Sequence, residues 1–282
     1  MDWARVLVFA ENSEEGAARV LTAQKACGAD KGVQVEACIA KVLPELIYAY
    51  GDGTILEAYQ LGVAEARQEV QRQVVGLQER LNAAGSPLPV LSLEVEKTKL
   101  SKMTAALGRT YDAIVLAQPG GGERHTHQLL LKGALLGSGR PCLVLPQWIE
   151  PRALSGRAIV AWKGTPEASR ALRDALPLLR RMEVTRIFEA SDGDALHGES
   201  AESLERLATY LKAHGVSVEP PVVTAPPDEL INTTGHAILD EAAAWGADLL
   251  VMGGGGHSRL VETVFGGATR EVIENAGCAV LM

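Results

Sequence analysis

Two short apolar runs, Asp112-Ala-Ile-Val-Leu and Asp248-Leu-Leu-Val-Met, each open on an aspartate and are each followed by glycines, Gly120 to Gly122 and Gly253 to Gly256. Each is followed in turn by a second run, Gly139-Arg-Pro-Cys142-Leu-Val-Leu and Gly277-Cys-Ala-Val-Leu. An unbroken apolar run of this length fits a strand buried on both faces, which requires a parallel sheet covered by helices on either side. The same order of events written twice points to one α/β unit used in tandem.

The rest of the chain agrees. Arg5 to Ala10 is a first strand, and Ser13 caps a helix to about Ala26 that Gly28 stops. Val33, Val35, Ala37 and Ile39 alternate as a second strand. After an irregular piece from Pro44 to Gly53, a stripe of Leu56, Tyr59, Val63, Ala66, Val70, Val74, Leu77 and Leu81 predicts one long amphipathic helix. Leu88 to Val95, Asp112 to Ala117 and Cys142 to Leu145 complete five strands, with a short helix from Leu100 to Leu107 between the first two.

Residues 147–156 read as a linker, after which the pattern restarts. Ala158 to Ala161 is a strand, and Thr165-Pro166 opens a helix in which Pro177 is a candidate break. Val184 to Glu189, Ala201 to His214 and Val216 to Val223 follow as strand, helix and strand. A helix starting at Pro227 runs to Trp245. The expected division is a first unit over 1–146 and a second over 157–282, each long enough to bury its own core.

Composition removes several function classes. The 282 residues carry 27 Lys and Arg against 35 Asp and Glu, a net charge of −8. That argues against a nucleic-acid surface. No apolar run reaches membrane-spanning length, and the start MDWARVLVFAENS lacks a signal-peptide pattern, so a cytoplasmic protein is expected. Cys27, Cys38, Cys142 and Cys278 stand alone in apolar contexts and read as small buried hydrophobes.

The chemistry concentrates after the strand ending at Met252. Glycines at a strand-to-helix junction let backbone N–H groups approach an oxyanion, and a helix starting at Gly267 adds unpaired donors and a positive dipole end. Gly253-x-x-Gly256, nine residues and then Gly266 resembles the nucleotide-binding signature of the universal stress protein family, G-x2-G-x9-G-(S/T). The resemblance extends, more weakly, over the first half. It implies two tandem doubly wound open parallel sheets of strand order 3-2-1-4-5. It also implies an adenine nucleotide, ATP or AMP with or without Mg²⁺, beyond the carboxyl ends of the strands.

The residues so implied are Ala161, Trp162, Lys163, Gly164 and Thr165 on one side. Met252, Gly253, Gly256, His257, Ser258, Gly266, Gly267, Ala268 and Thr269 face them. Two positions depart from the family pattern. Gly267 stands where a Ser or Thr would offer a hydroxyl, leaving Ser258 or Thr269 to replace it. Lys163 stands where an aspartate is common, and lysine donates but cannot accept. One lost contact of that kind costs roughly 1–3 kcal/mol.

The first half, with Pro119 in the glycine run and extra residues before Gly133, is expected to bind phosphate poorly and to be structural. His125-x-His127 lacks a third ligand and reads as a solvated loop, and His257-Ser258 is no catalytic pair. The absence of G-x-x-x-x-G-K-(S/T) excludes a Walker grip, and the lack of G-x-G-x-x-G after either first strand counts against a dinucleotide dehydrogenase. With no nucleophile, base or metal cluster to name, binding or signalling is favoured over turnover, and a slow ATPase stays open. The alternatives are an interaction module without ligand and an adenine-nucleotide flavoprotein subunit. The strands ending at Leu145 and Met282 are apolar enough to pair, within the chain as a pseudo-dimer or between chains as a homodimer.

Overall fold

The computed structural model describes residues 2–28, 32–45, 53–147, 150–190, 197–224, 233–254 and 266–282. The first half runs β1 (Arg5–Phe9), α1 (Glu14–Cys27), β2 (Gln34–Leu43), α2 (Gly53–Ala83), β3 (Val90–Glu96), α3 (Leu100–Gly108), β4 (Ala113–Ala117), α4 (Arg124–Gly137) and β5 (Cys142–Leu145). The second half repeats the plan: β6 (Arg157–Ala161), α5 (Pro166–Leu179), β7 (Val184–Ala190), α6 (His197–Ala213), β8 (Val222–Thr224), α7 (Thr234–Trp245), β9 (Leu249–Met252), α8 (Gly267–Asn275) and β10 (Ala279–Leu281). Each half has the order 3-2-1-4-5, and together they form one ten-stranded sheet, β3-β2-β1-β4-β5-β10-β9-β6-β7-β8.

All strand pairs are parallel except the seam. There β5 meets β10 antiparallel, Val144 opposite Val280 and Leu143 opposite Leu281. Cys142 and Met282 exchange both backbone hydrogen bonds, at 2.9 and 3.0 Å. The two final strands therefore pair within the chain. One consequence differs from the expectation of a separate core in each half: the apolar clusters divide by sheet face and run through both halves. Val6, Val8, Leu143, Leu281 and Val160 lie on one face under α1, α2, α5 and α6. Leu7, Phe9, Val144, Val280 and Ile159 lie on the other under α3, α4, α7 and α8.

Local chemistry explains the elements. Ser13 and Thr165 accept hydrogen bonds from the N–H groups of Gly16 and Ala168 and so fix the starts of α1 and α5. Gly28, at φ 90°, ends α1 in the left-handed conformation that a glycine adopts without strain. The repeated aspartates also have a structural task. Asp112 accepts from the N–H groups of Ala4 and Arg5, and Asp248 accepts from Gly156, so each pins the entry to its half's first strand.

Three expectations change. Pro177 does not break α5, which continues to Leu179. Burial of Ala175, Leu176, Leu178 and Leu179 outweighs the roughly 3 kcal/mol a helical proline costs. The strand expected over Val216–Val223 shrinks to β8 plus an isolated Thr185–Val218 bridge, because Pro220 and Pro221 have no N–H to give a ladder. The α2 stripe is buried only towards its end, at Val70, Leu77 and Leu81, whereas Leu56 is 51% exposed. The helix expected to start at Pro227 falls at its start outside the described residues, and Thr233 caps its described part.

Candidate functional site

In the second half, the carboxyl ends of β6, β7 and β9 open into a crevice of about 230 Å³. Ala161, Trp162, Lys163 and Thr165 line it from the β6–α5 turn. Met252 and Gly253 line it from the end of β9, and Gly266 to Thr269 from the start of α8. Gly164 is absent from that lining and makes the turn at φ 66°. Gly256, His257 and Ser258 lie outside the described residues. Phe188 and Ala190 from the end of β7, with Ile238 and Thr234 from α7, complete a mostly apolar flank that the sequence reading missed. The first two sit at the carboxyl end of a second strand, which is where a parallel sheet places ligand contacts.

Two details keep the crevice open. Trp162, though it lines the crevice, is anchored on the other side: its Nε1–H donates to Ser203 Oγ on α6 at 3.1 Å, and its ring packs against the cluster on that face. Gly253 lets the end of β9 approach the start of α5, since a Cβ there would stand 2.7 Å from the Ala168 nitrogen. At the far wall α8 starts without a side-chain cap. Gly266 is the N-cap residue, in extended conformation, and among the described residues no side-chain cap bonds the first turn. Thr269 is buried in that turn. An uncapped helix start of this kind presents donors and positive dipole to whatever enters. Glu167 at the mouth is tied to Arg170 at 3.0 Å.

The corresponding place in the first half is built differently. His127, expected on a solvated loop, is buried in α4, and its Nε2 stands 2.9 Å from Glu11 Oε1. Arg19, also buried, reaches Glu11 Oε2 and the carbonyl of Phe9, both at 2.9 Å. Burial alone would raise the Glu11 carboxyl. The hydrogen bond to His127, together with the charge and hydrogen bond of Arg19, outweighs it and holds the group at about 2.

A carboxyl depressed below its usual 4.5 stabilises the fold fully above that value and loses the contribution as pH falls towards 2. With the side chain 38% exposed, screening reduces the effect to about 1–2 kcal/mol. Glu11→Gln is therefore expected to lower stability by that amount at neutral pH. The gap to the unsubstituted protein should close as urea unfolding is repeated at successively lower pH, and a gap independent of pH contradicts the assignment.

Among the described residues no helix is long and apolar enough to cross a membrane. No group of three His, Cys, Asp or Glu there is placed to hold a metal ion. The four cysteines are free and buried, and burial pushes the Cys27 thiol up to about 12.

Comparison with known proteins follows the same lines. The family model described as Universal stress protein family matches residues 155–282. No curated protein matches the chain. A universal stress protein from Archaeoglobus fulgidus superposes with a TM-score of 0.65 at 18% identity, over 99% of this chain and 97% of that one. A putative universal stress protein from Pseudomonas aeruginosa gives 0.55 at 16% identity, over 99% and 92%. These identities speak for the fold alone. Residues 155–282 thus match the universal stress protein family, and the same strand order is repeated ahead of them in the first half.

Proposed function

We propose that the second unit, over residues 157–282, binds an adenine nucleotide, ATP or AMP, in a regulatory role within a stress response and without fast turnover. The observation that carries this reading is the uncapped start of α8, with Gly266, Gly267 and buried Thr269 lining a crevice at the carboxyl ends of parallel strands. Backbone donors at such a start favour a phosphate. The apolar flank of Phe188, Ile238 and Met252 suits a flat base. Lys163, on the opposite wall, donates and carries positive charge, so it favours the phosphate end over a ribose hydroxyl that needs an acceptor. Any Mg²⁺ would arrive on the phosphates.

Two measurements test the reading. Native mass spectrometry of freshly purified protein should show a co-purified nucleotide mass. Thermal denaturation with ATP, ADP and AMP should show a raised midpoint, since ligand at 100 times its dissociation constant adds about 2.7 kcal/mol. A midpoint unmoved by all three, with no bound mass, overturns it and favours an interaction module built on the β5–β10 seam.

A further inference from the structure

The two ends of α8 differ. Its start has no side-chain cap among the described residues and lines the second-half crevice. Its end is closed by the other half of the chain. Gln118 Nε2–H donates to the carbonyl of Ala276, the C-cap residue, at 3.4 Å, and Arg124 Nη2–H donates to Glu274 Oε1 at 2.8 Å. The equivalent helix of the first half, α4, is finished by its own neighbours: Arg109 donates to the Gly137 carbonyl at 3.2 Å, and Ser138 Oγ–H to that of Ala134.

What α8 touches decides where it sits. It has nine residues, a length at which an isolated helix is unstable in water. Val272 and Ile273 bury its middle. Its last turn carries Glu274, a carboxylate at the negative end of the helix dipole, where it loosens the turn unless it is neutralised. Arg270, within α8, reaches Glu274 Oε1 at 3.2 Å, and the first half supplies the second cation. Partial burial pushes the Glu274 carboxyl up, but the hydrogen bonds from Arg124 and Arg270 outweigh it and hold the group below its usual range. Gln118 is itself fixed, since its N–H donates to the Leu145 carbonyl at 2.8 Å and its own carbonyl accepts from Gln147 Nε2 at 3.2 Å.

The first half also bears on the opposite wall. Gly253 lines the crevice, and a Cβ on the adjoining Gly254 would stand 3.1 Å from Leu135 Cδ2. Arg124 opens α4 and Leu135 lies near its end, so this one helix reaches both walls of a crevice that belongs to the other half.

We propose that Arg124 is a positioning residue for the second-half crevice: through Glu274 it holds α8 so that the start of that helix meets the phosphate of the nucleotide. The crevice is then complete only with the first half in place. This role rests on the nucleotide reading, and it gives the half without the glycine signature a task that needs no ligand of its own.

The test is titration calorimetry of the full chain with AMP and with ATP. The temperature is one at which circular dichroism shows every variant fully folded, so that a change in stability alone leaves affinity unmoved. Arg124→Glu, at a side chain 50% exposed, should weaken nucleotide binding about three- to tenfold, because it deletes one attraction and sets a repulsion against Glu274 in its place. Arg124→Lys keeps the charge and should stay within about twofold. Glu274→Arg should weaken binding as Arg124→Glu does, and the two changes combined should recover most of the loss. Equal affinity in Arg124→Glu and the unsubstituted protein overturns the role of Arg124 and leaves the nucleotide reading standing. A double variant whose loss is the sum of the two single losses does the same. No binding of either nucleotide by the unsubstituted protein removes the nucleotide reading and this role with it.

Discussion

Gly267→Asp is expected to abolish the thermal shift with ATP while leaving the ligand-free midpoint where it was. Among the described residues nothing lies within 4 Å of a Cβ built at Gly267, so the side chain fits there without displacing any of them. As the first residue of α8, an aspartate also suits the helix dipole, which removes the usual objection that a binding variant has merely been destabilised. What changes is charge. A carboxylate about 4 Å from a phosphate in a surface crevice repels it by roughly 4 kcal/mol at an effective dielectric constant of about 20. If solvent removes half of that, affinity still falls about 30-fold. Gly267→Ser should act in the opposite sense, because it restores the hydroxyl that the family signature has at this position. Its effect is expected to be a severalfold gain in affinity, measurable by calorimetry. Equal binding in all three proteins would remove the start of α8 from the site.

How far the sequence carried the structure depended on how local each determinant was. Ser13, Gly28 and Thr165 act on residues three or four positions away, and the helices they bound appeared where expected. The apolar runs after Asp112 and Asp248 became β4 and β9, since a strand with helices over both faces has no polar face to show. The unequal loss of order in the third strands was also written locally, in Pro220-Pro221. By contrast, the Glu11–His127 contact joins residues 116 positions apart, and nothing near either residue signals it. His127 looked like half of a failed metal pair because spacing was the only property its neighbourhood offered. Likewise Phe188 and Ile238 carried only the ordinary marks of core residues, and the fold alone brings them to one wall of the second crevice. The open question of whether Leu145 and Met282 end strands that pair within or between chains was a question of topology. Two such edges in one chain, each ending a five-stranded sheet, satisfy one another without a second copy.

That seam is where the largest change in stability is expected, from Val280→Pro. The Cys142–Met282 pair exchanges both backbone hydrogen bonds, so by antiparallel alternation the Val144–Val280 pair does too. The neighbouring Ala279 N–H instead turns to β9, bonding the carbonyl of Asp248 at 3.1 Å. Proline at 280 therefore deletes the N–H that serves β5 and leaves those serving β9. Proline in a central strand is expected to cost about 3 kcal/mol or more. Here the cost spreads, because Leu143 and Leu281 belong to the cluster on one face and Val144 and Val280 to the cluster on the other. Prising the strands apart wets both. Denaturant unfolding should show a lower midpoint. Light scattering on a size-exclusion column should show species larger than the unsubstituted protein forms, as the freed β5 and β10 edges pair between molecules. Leu281→Ala is the control: it should cost about 2–5 kcal/mol through the cavity it leaves, with the backbone ladder intact and the association state that of the unsubstituted protein. A Val280→Pro chain with the association state of the unsubstituted protein and an unmoved midpoint would mean that the halves hold together through α1 instead, where Lys25 reaches the carbonyl of Pro151 and Arg181, just past α5, that of Ala26.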